Sequence, residues 1–522
     1  MFTSFLQFLQ TLIFYPFLLP FLLFALLFLY YNTLSSSTST TKNQPPSPPK
    51  LPIIGNLHQI GPLPRQSFSS LSHQYGHVML LHFGSKPTLV ISSADVAKEI
   101  MKTHDLLFCS RPRSLVTNKI FYGCKDMGFS PYGEHWRMMK SICVMQLLSN
   151  KKVQSYRKIR EEEVGLIMEM IKKSKFSVVD LSEIIMTQTY DLICRATFGR
   201  KYSGKDEDGI DFKELLLETM ELLGVFSFGD FIPWLSWMDR VKGLTGRVER
   251  VAKELDQLLD KVIQENKNRI KTKKSMNDVE FDDEGKSAKN FVEILLESKW
   301  ENEVSLPMDD IKAVILDVFA AGADTTYTLL EWTMTELIRH PRVMKELQEE
   351  VGKIVACKGN NSVLKVSEDD LDKLTYLKAV LKETLRLHPP APLLVFRESL
   401  KDVKIDGFDI KAGTHVFINA WEIHRDPTFW EEPEEFRPER FLNDSSLNFK
   451  GQDFNYIPFG AGRRSCPGIS FAMVNAELML ANLVYEFDWK MPENGVLDMD
   501  ESVGITVHRR VPLVLIPTPY YS

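Results

Sequence analysis

A single cysteine, Cys466, sits in the run Phe459-Gly460-Ala461-Gly462-Arg463-Arg464-Ser465-Cys466-Pro467-Gly468, and few folds can accommodate such a run. Gly460 and Gly462 permit a tight backbone turn and let a flat ligand lie against it. Pro467 is the residue type favoured at a first helical position, and Ile469 to Leu480 continues in helical composition. The run therefore predicts a turn that presents one sulfur at a helix N-terminus, where free N–H groups and the helix dipole favour a thiolate. Arg463 and Arg464 add cations able to hold carboxylates. A thiolate, a flat approach surface and a carboxylate-binding arginine suit haem. Cys466 would ligate the iron and Arg464 a propionate, with Phe459, Gly462 and Gly468 shaping the loop. The competing reading is a core cysteine in a glycine turn.

The other five cysteines (Cys109, Cys124, Cys143, Cys194 and Cys357) are scattered with no C-x-x-C pair. This predicts free thiols in a reducing compartment rather than a disulfide framework or a zinc site. A net charge of −6 without a basic arm argues against nucleic acid as a partner. No charged side chain precedes Lys42, and Thr11 to Tyr31 is nearly all apolar. At 1.5 Å per residue that run spans about 31 Å, enough to cross a hydrocarbon core. A cleaved signal peptide is the alternative, but the apolar run is long and lacks a basic n-region. Lys42, Lys50 and Arg65 follow the span, which orients the following domain to the cytosol. The sequons at Asn360 and Asn443 would then go unused.

Three segments follow: an anchor over 1–34, a Ser/Thr linker and proline-rich hinge over 35–55, and a catalytic domain over 56–522. Val78 to Phe83 and Pro87 to Ser92 flank Gly84-Ser85-Lys86 and predict a β-hairpin. Helical patterns dominate from Ser93, the strongest running from Pro307 to Arg339. Lys271 to Asn290 is charged and predicts a solvated surface loop.

The long helix carries Ala321-Gly322-Ala323-Asp324-Thr325-Thr326 near its middle. A mid-helix glycine costs about 1 kcal/mol relative to alanine, so some neighbour should need the space. Thr325 can bond back to the carbonyl four residues earlier and open the helix locally. Asp324 places an ionisable group beside it. These are the parts that oxygen activation needs, a roomy small-residue patch with a hydroxyl and carboxyl relay; a helix-packing patch with a wet-face Asp is the other reading.

The Cys466 loop together with this segment resembles the cytochrome P-450 superfamily, specifically the A-type plant microsomal monooxygenases of specialised metabolism. The resemblance extends from the proline run to the C-terminus. It implies a mainly α fold with a small β region, preceded by one N-terminal transmembrane helix. It implies haem b with Cys466 as the axial thiolate and Asp324 and Thr325 as the catalytic pair. Glu383 and Arg386, in Glu383-Thr384-Leu385-Arg386, would form with Arg440 of Pro438-Glu439-Arg440-Phe441 a buried network bracing the cysteine loop. Trp136, Arg137, Lys140 and Arg397 would hold the haem. Lys140 stands where the family often has arginine, and gives a point charge in place of a fork. Phe121, Phe226, Phe228, Ala321, Leu394, Val503 and Ile505 would line an apolar pocket for a terpenoid, coumarin, alkaloid or other aromatic metabolite.

The chain has no G-x-G-x-x-G fingerprint, so NADPH-derived electrons must come from a partner. The resemblance implies NADPH-cytochrome P-450 reductase, with cytochrome b5 as an optional second donor, at the endoplasmic reticulum membrane. The basic cluster Lys151, Lys152, Arg157, Lys158 and Arg160 is the expected docking face. Two alternatives belong to other classes. One is a haem-thiolate dehydratase or isomerase, such as aldoxime to nitrile; the other is a membrane-tethered haem-binding protein without turnover.

Overall fold

The computed structural model describes residues 20–27, 43–202, 211–276, 289–298, 305–356, 366–443, 447–493 and 495–520. Most of the anchor stretch, the sequon at Asn360 and residues 277–288 of the charged stretch lie outside the described residues. Pro20 to Leu27 is helical, with Phe21, Leu22, Leu23, Phe24, Leu26 and Leu27 exposed.

Helices form the bulk of the described chain around the long helix Met308–Arg339. Its composition is that of a membrane span, but it is mostly buried inside the protein. Apolar and small side chains occupy nearly every face of it, as expected for a helix surrounded by other helices. The helix Leu181–Phe198 packs along it, and Gly322 lies in their contact. A Cβ at Gly322 would stand 2.8 Å from Ile193 Cδ1, so helix packing takes the space that this glycine leaves. The helices Thr375–Leu387 and Ile469–Glu486 also pack against it. His340 ends the long helix, and Pro341 opens the next one, Pro341–Ala356, at its first position.

The predicted hairpin is present as Val78–Phe83 paired antiparallel with Lys86–Ile91. Its turn is two residues rather than three, because Gly84 adopts φ +57° and closes the chain directly. His415–Ile418 pairs in parallel with the second strand, and Arg397–Glu398 completes a four-stranded sheet. The charged stretch is not a loop throughout: the helix Leu244–Met276 runs six residues into it. Straight-chain lysines are good helix formers and carry the helix onward.

The proline-rich hinge does not stand clear of the domain. Pro46 accepts from the Leu80 amide at 2.9 Å, Gly55 pairs with Phe83, and Asn56 Nδ2 donates to the carbonyls of Pro48 and Pro49. Pro45 and Pro48 are buried. Five cysteines fall within the described residues and none is paired.

Candidate active site

The cysteine loop is built by its backbone. Gly460 N–H donates to Ile457, Ser465 N–H to Gly462, and Cys466 N–H to Phe459 at 3.0 Å. Gly462 has φ +70°, and a Cβ there would stand 2.1 Å from the Met101 carbonyl, so only glycine fits. Phe459 packs edge-on against Phe449. Pro467 is not the first helical residue; the helix starts at Ile469 with Gly468 as its cap, because the Gly468 amide is turned onto the Cys466 sulfur.

Cys466 retains open surface, whereas the other four described cysteines are buried. Enough protein surrounds it that burial is the leading influence on its thiol, which is pushed up. A residue with both properties faces an interior cleft. Arg463 and Arg464 do not offset that shift; the Gly468 amide opposes it, and Asp317 adds to it. The protein thus presents a thiol whose ionisation a bound metal would complete.

Arg464 turns away from the sulfur into a cluster of buried cations. It donates to the carbonyls of Cys109, Met127 and Ser130 at 2.7, 3.0 and 2.5 Å, and lies 4.3 Å over the Trp136 ring. Arg397 donates to Ala461 at 3.0 Å, but its Nη1 makes no hydrogen bond and stands 3.5 Å from Asp105. Arg111, which sequence reasoning passed over, is buried beside them and donates to Gly128, Val395 and Phe396. Burial, then the neighbouring guanidinium groups, lowers Arg111 far below the ordinary arginine range; burial likewise brings Arg464 down to about 10. Lys140 lies over Trp136 and donates to the Arg463 carbonyl, and burial followed by Arg464 lowers its ammonium.

Arg111 and Arg397 are buried and Arg464 and Lys140 half-buried. These four cations outnumber the carboxylates beside them, Asp105, Asp126 and Asp317, and burial pushes the last two toward the neutral form, which leaves an excess of desolvated positive charge. A ligand with two carboxylates would neutralise it. With an accessible sulfur nearby and the unpartnered Nη1 of Arg397, the residues present fit haem: Cys466 for the iron, and Arg111, Arg397, Arg464 and Lys140 for the propionates. Arg137 is not part of this set. It is exposed, because Trp136 and Lys140 share a helix face at i and i+4 while i+1 points elsewhere.

The long helix meets this cluster through the turn 126–130. Asp317 accepts from the amides of Met127 and Gly128 at 3.1 and 3.0 Å, and the Met127 carbonyl accepts from Trp136 and Arg464. Burial pushes Asp317 up to about 6; burial and Asp317 together push the adjacent Asp126 well up. One turn further along the same face, Ala321 is exposed in the middle of a mostly buried helix. Thr325 Oγ1 donates to the Ala321 carbonyl at 2.7 Å, the back-bond that the sequence predicts. Asp324 is turned away from Thr325. It is 5% exposed, accepts from Thr506 Oγ1, and lies 3.3 Å from His508 Nε2.

Glu383 and Arg386 are fully buried and form a bidentate pair at 2.8 Å on both arms. Arg440 Nε reaches the same carboxylate at 3.1 Å, and the Arg437 amide at 2.9 Å. Arg386 also donates to the His424 carbonyl, and His424 Nε2 accepts from the Ile457 amide at 2.9 Å. The connection from Glu383 to the cysteine loop thus passes through His424, which the sequence reading missed. Burial, then Arg386, holds His424 down to about 3, so its ring stays neutral and able to accept.

A cavity of about 1110 Å³ opens beside this centre. Phe226, Phe228, Leu394, Val503 and Ile505 line it, with Phe231, Phe396 and Phe417. Among the described residues its lining includes neither Cys466, Ala321 nor Thr325, so it is an antechamber to the chemistry. Phe121 is not on its wall: the ring is 1% exposed and packs on Phe129 at 5.3 Å, in the core. Of the basic cluster, Arg160 is buried in a pair with Glu368 and Arg157 is bidentate to Asp369, which leaves Lys151 and Lys158 as its exposed cations.

A family model described as cytochrome P450 matches residues 45–516, so the match takes in the proline-rich hinge. A cytochrome P450 736A117 of Prunus mume is 52% identical over 485 residues, covering 92% of this chain and 91% of its own. A norfluorocurarine oxidase of Strychnos sp is 48% identical, covering 95% of this chain and 96% of its own. A 3-beta-hydroxylase of Tanacetum parthenium is 48% identical, covering 95% and 97%. Among solved structures, a zebra fish cytochrome P450 with abiraterone superposes with TM-score 0.71 at 25% identity, over 88% of this chain and all of that one.

Proposed function

This chain belongs to the cytochrome P450 family, as a plant cytochrome P450 monooxygenase, and from that premise we propose that it oxidises a hydrophobic plant specialised metabolite with O₂ and NADPH-derived electrons. The substrate class is a terpenoid, coumarin, alkaloid or other aromatic compound. Support for an apolar, ring-shaped substrate comes from the phenylalanine-rich lining of the antechamber. Relatives named an oxidase and a 3-beta-hydroxylase favour oxidation over dehydration.

Haem, when bound on Cys466, supplies the redox chemistry of oxygen activation. The chain's own residues do the rest. Arg111, Arg397, Arg464 and Lys140 would hold the two haem carboxylates. Ala321 leaves room beside the helix. Thr325, with its hydroxyl already fixed on the Ala321 carbonyl at 2.7 Å, offers an oriented oxygen that accepts and relays a proton. Asp324, next in sequence but facing Thr506 and His508, is the proton source of the proposed relay.

The back-bonded Thr325 beside exposed Ala321 is the observation that carries the monooxygenase reading. Thr325→Ala is expected to keep haem content and the CO spectrum of the wild type. NADPH consumption should continue, with product lost to hydrogen peroxide, since a positioned group in a proton-transfer step is worth about 10²–10⁴-fold. Unchanged coupling in Thr325→Ala would move the assignment to the dehydratase or isomerase class.

The protein is held at the endoplasmic reticulum membrane by the apolar N-terminal segment, with the catalytic domain in the cytosol, and it receives electrons from NADPH-cytochrome P-450 reductase, with cytochrome b5 as an optional donor. Deleting residues 1–31 should move most of the protein from the microsomal pellet to the supernatant. Release should be incomplete, because Leu51, Ile53, Trp234 and Trp237 are exposed apolar side chains on the domain itself. Glycosylation at Asn360 of the full-length protein would place the domain in the lumen and overturn this topology.

A further inference from the structure

Asp324 can supply protons repeatedly only if something reloads it, and its carboxylate keeps 3% of its surface. The C-terminal segment provides a contact. Thr506 Oγ1 donates to Asp324 Oδ2, and His508 Nε2 lies 3.3 Å from Asp324 Oδ1. The His508 ring keeps 21% of its surface, so one end of the pair is closed and the other is open.

The hydrogen bonds also assign the ring's tautomer. Thr328 has one hydroxyl proton, and it goes to the Asp324 carbonyl at 2.8 Å. The same oxygen is 2.8 Å from His508 Nδ1; with its proton on the Asp324 carbonyl it accepts there, the arrangement in which Nδ1 carries a hydrogen. Nε2 is then the nitrogen that gains and loses a proton, and it is the one that faces Asp324. The remaining polar neighbours are Glu331, which accepts from the Tyr327 hydroxyl and the Arg509 amide, the Arg509 guanidinium, which is held by Thr335 and Asp498, and Thr506. The Tyr327 ring flanks the imidazole at 5.4 Å.

We propose that His508 is a positioning residue for oxygen activation, passing protons from solvent to Asp324. This deepens the monooxygenase reading and rests on it. In the transfer, the imidazolium Nε2–H bond breaks and an O–H bond forms at Asp324 Oδ1. A carboxylate becomes a carboxylic acid, the imidazolium becomes neutral imidazole, and water returns the proton to Nε2.

The test compares full-length, haem-loaded wild type, H508Q and D324N, with reductase and NADPH but no added substrate. Glutamine can keep the bonds to Thr328 and Asp324 but has no titrating nitrogen. H508Q should retain haem content and the CO spectrum, while NADPH consumption slows about tenfold or more and its solvent isotope effect rises. If D324N is slow and H508Q matches wild type, the inference fails and the monooxygenase reading stands. If both match wild type, that reading fails as well. A slow H508Q with a wild-type isotope effect marks structural damage and overturns the relay. A second measurement avoids any His508 variant in the comparison itself: ring-labelled histidine NMR of the ferrous CO complex, with His508 assigned by the signal lost in H508N. Removing the facing carboxylate in D324N should shift the Nε2 resonance, because the group 3.3 Å from it has changed. An unchanged resonance overturns the contact on which the relay depends.

Discussion

Cys466→Ser is expected to abolish the strongly red-shifted Soret band of the ferrous CO complex, and turnover with it. That band requires a thiolate on the iron, and a serine hydroxyl does not provide one. The loop should survive the change, because its geometry comes from backbone bonds such as Cys466 N–H to Phe459 at 3.0 Å and from Gly462. The loss would therefore be one of ligation rather than folding. Among the described residues no other cysteine can replace it, since Cys109, Cys124, Cys143 and Cys194 are all buried. Absorption of the CO complex, beside an unfolding curve, checks both halves. A variant that keeps the band would show that Cys466 is not the axial ligand.

Glu383→Ala should have the largest effect on stability. The carboxylate accepts from Arg386 on both arms, from Arg440, and from the Arg437 amide. Its removal leaves two buried guanidinium groups and an amide without their acceptor. Breaking a buried pair from one side costs about 3–5 kcal/mol. Domains are stable by only about 5–15 kcal/mol, so the variant should accumulate poorly and unfold at much lower denaturant. Because Arg386 holds His424, and His424 holds Ile457, haem retention should fall with it. Arg386→Lys should be nearly as damaging, since an ammonium cannot serve Glu383 and three carbonyls from one plane. An unfolding midpoint within error of wild type would remove the network from any bracing role.

What the sequence could reveal followed from how local each signal was. The long helix was legible because its apolar pattern and its proline boundaries lie within one continuous stretch. The hairpin was legible to within a residue because Gly84 marks its turn. Glu383 and Arg386 were legible as one helix turn, and the Cys466 loop as one run of glycines and cations.

The failures came where function depends on which segments meet. Arg111 gave no local sign that it would be buried next to Arg397 and Arg464. His424 bridges two elements more than thirty residues from either. Asp324 was read as an ionisable group beside Thr325, but successive residues on a helix are about 100° apart, and its side chain went to Thr506 and His508. The same geometry separates Arg137 from Trp136 and Lys140. Asp126 and Asp317 look unrelated in sequence, yet both carboxylates lie within 3.3 Å of the place where a Gly128 side chain would begin.

The antechamber draws its walls from chain segments far apart in sequence, around Leu57 to Arg65, Leu223 to Ile232 and Val503 to Val507. Several of the side chains involved are largely outside the core, with Phe226 39% and Val503 62% exposed. Substitutions at such positions typically change stability by less than about 0.5 kcal/mol, whereas those in the Glu383 network consume much of the margin. Heritable variation can therefore accumulate at the mouth while the interior stays fixed. A lineage built on this scaffold could take up new compounds by drift at the rim, without first acquiring a compensating stabiliser.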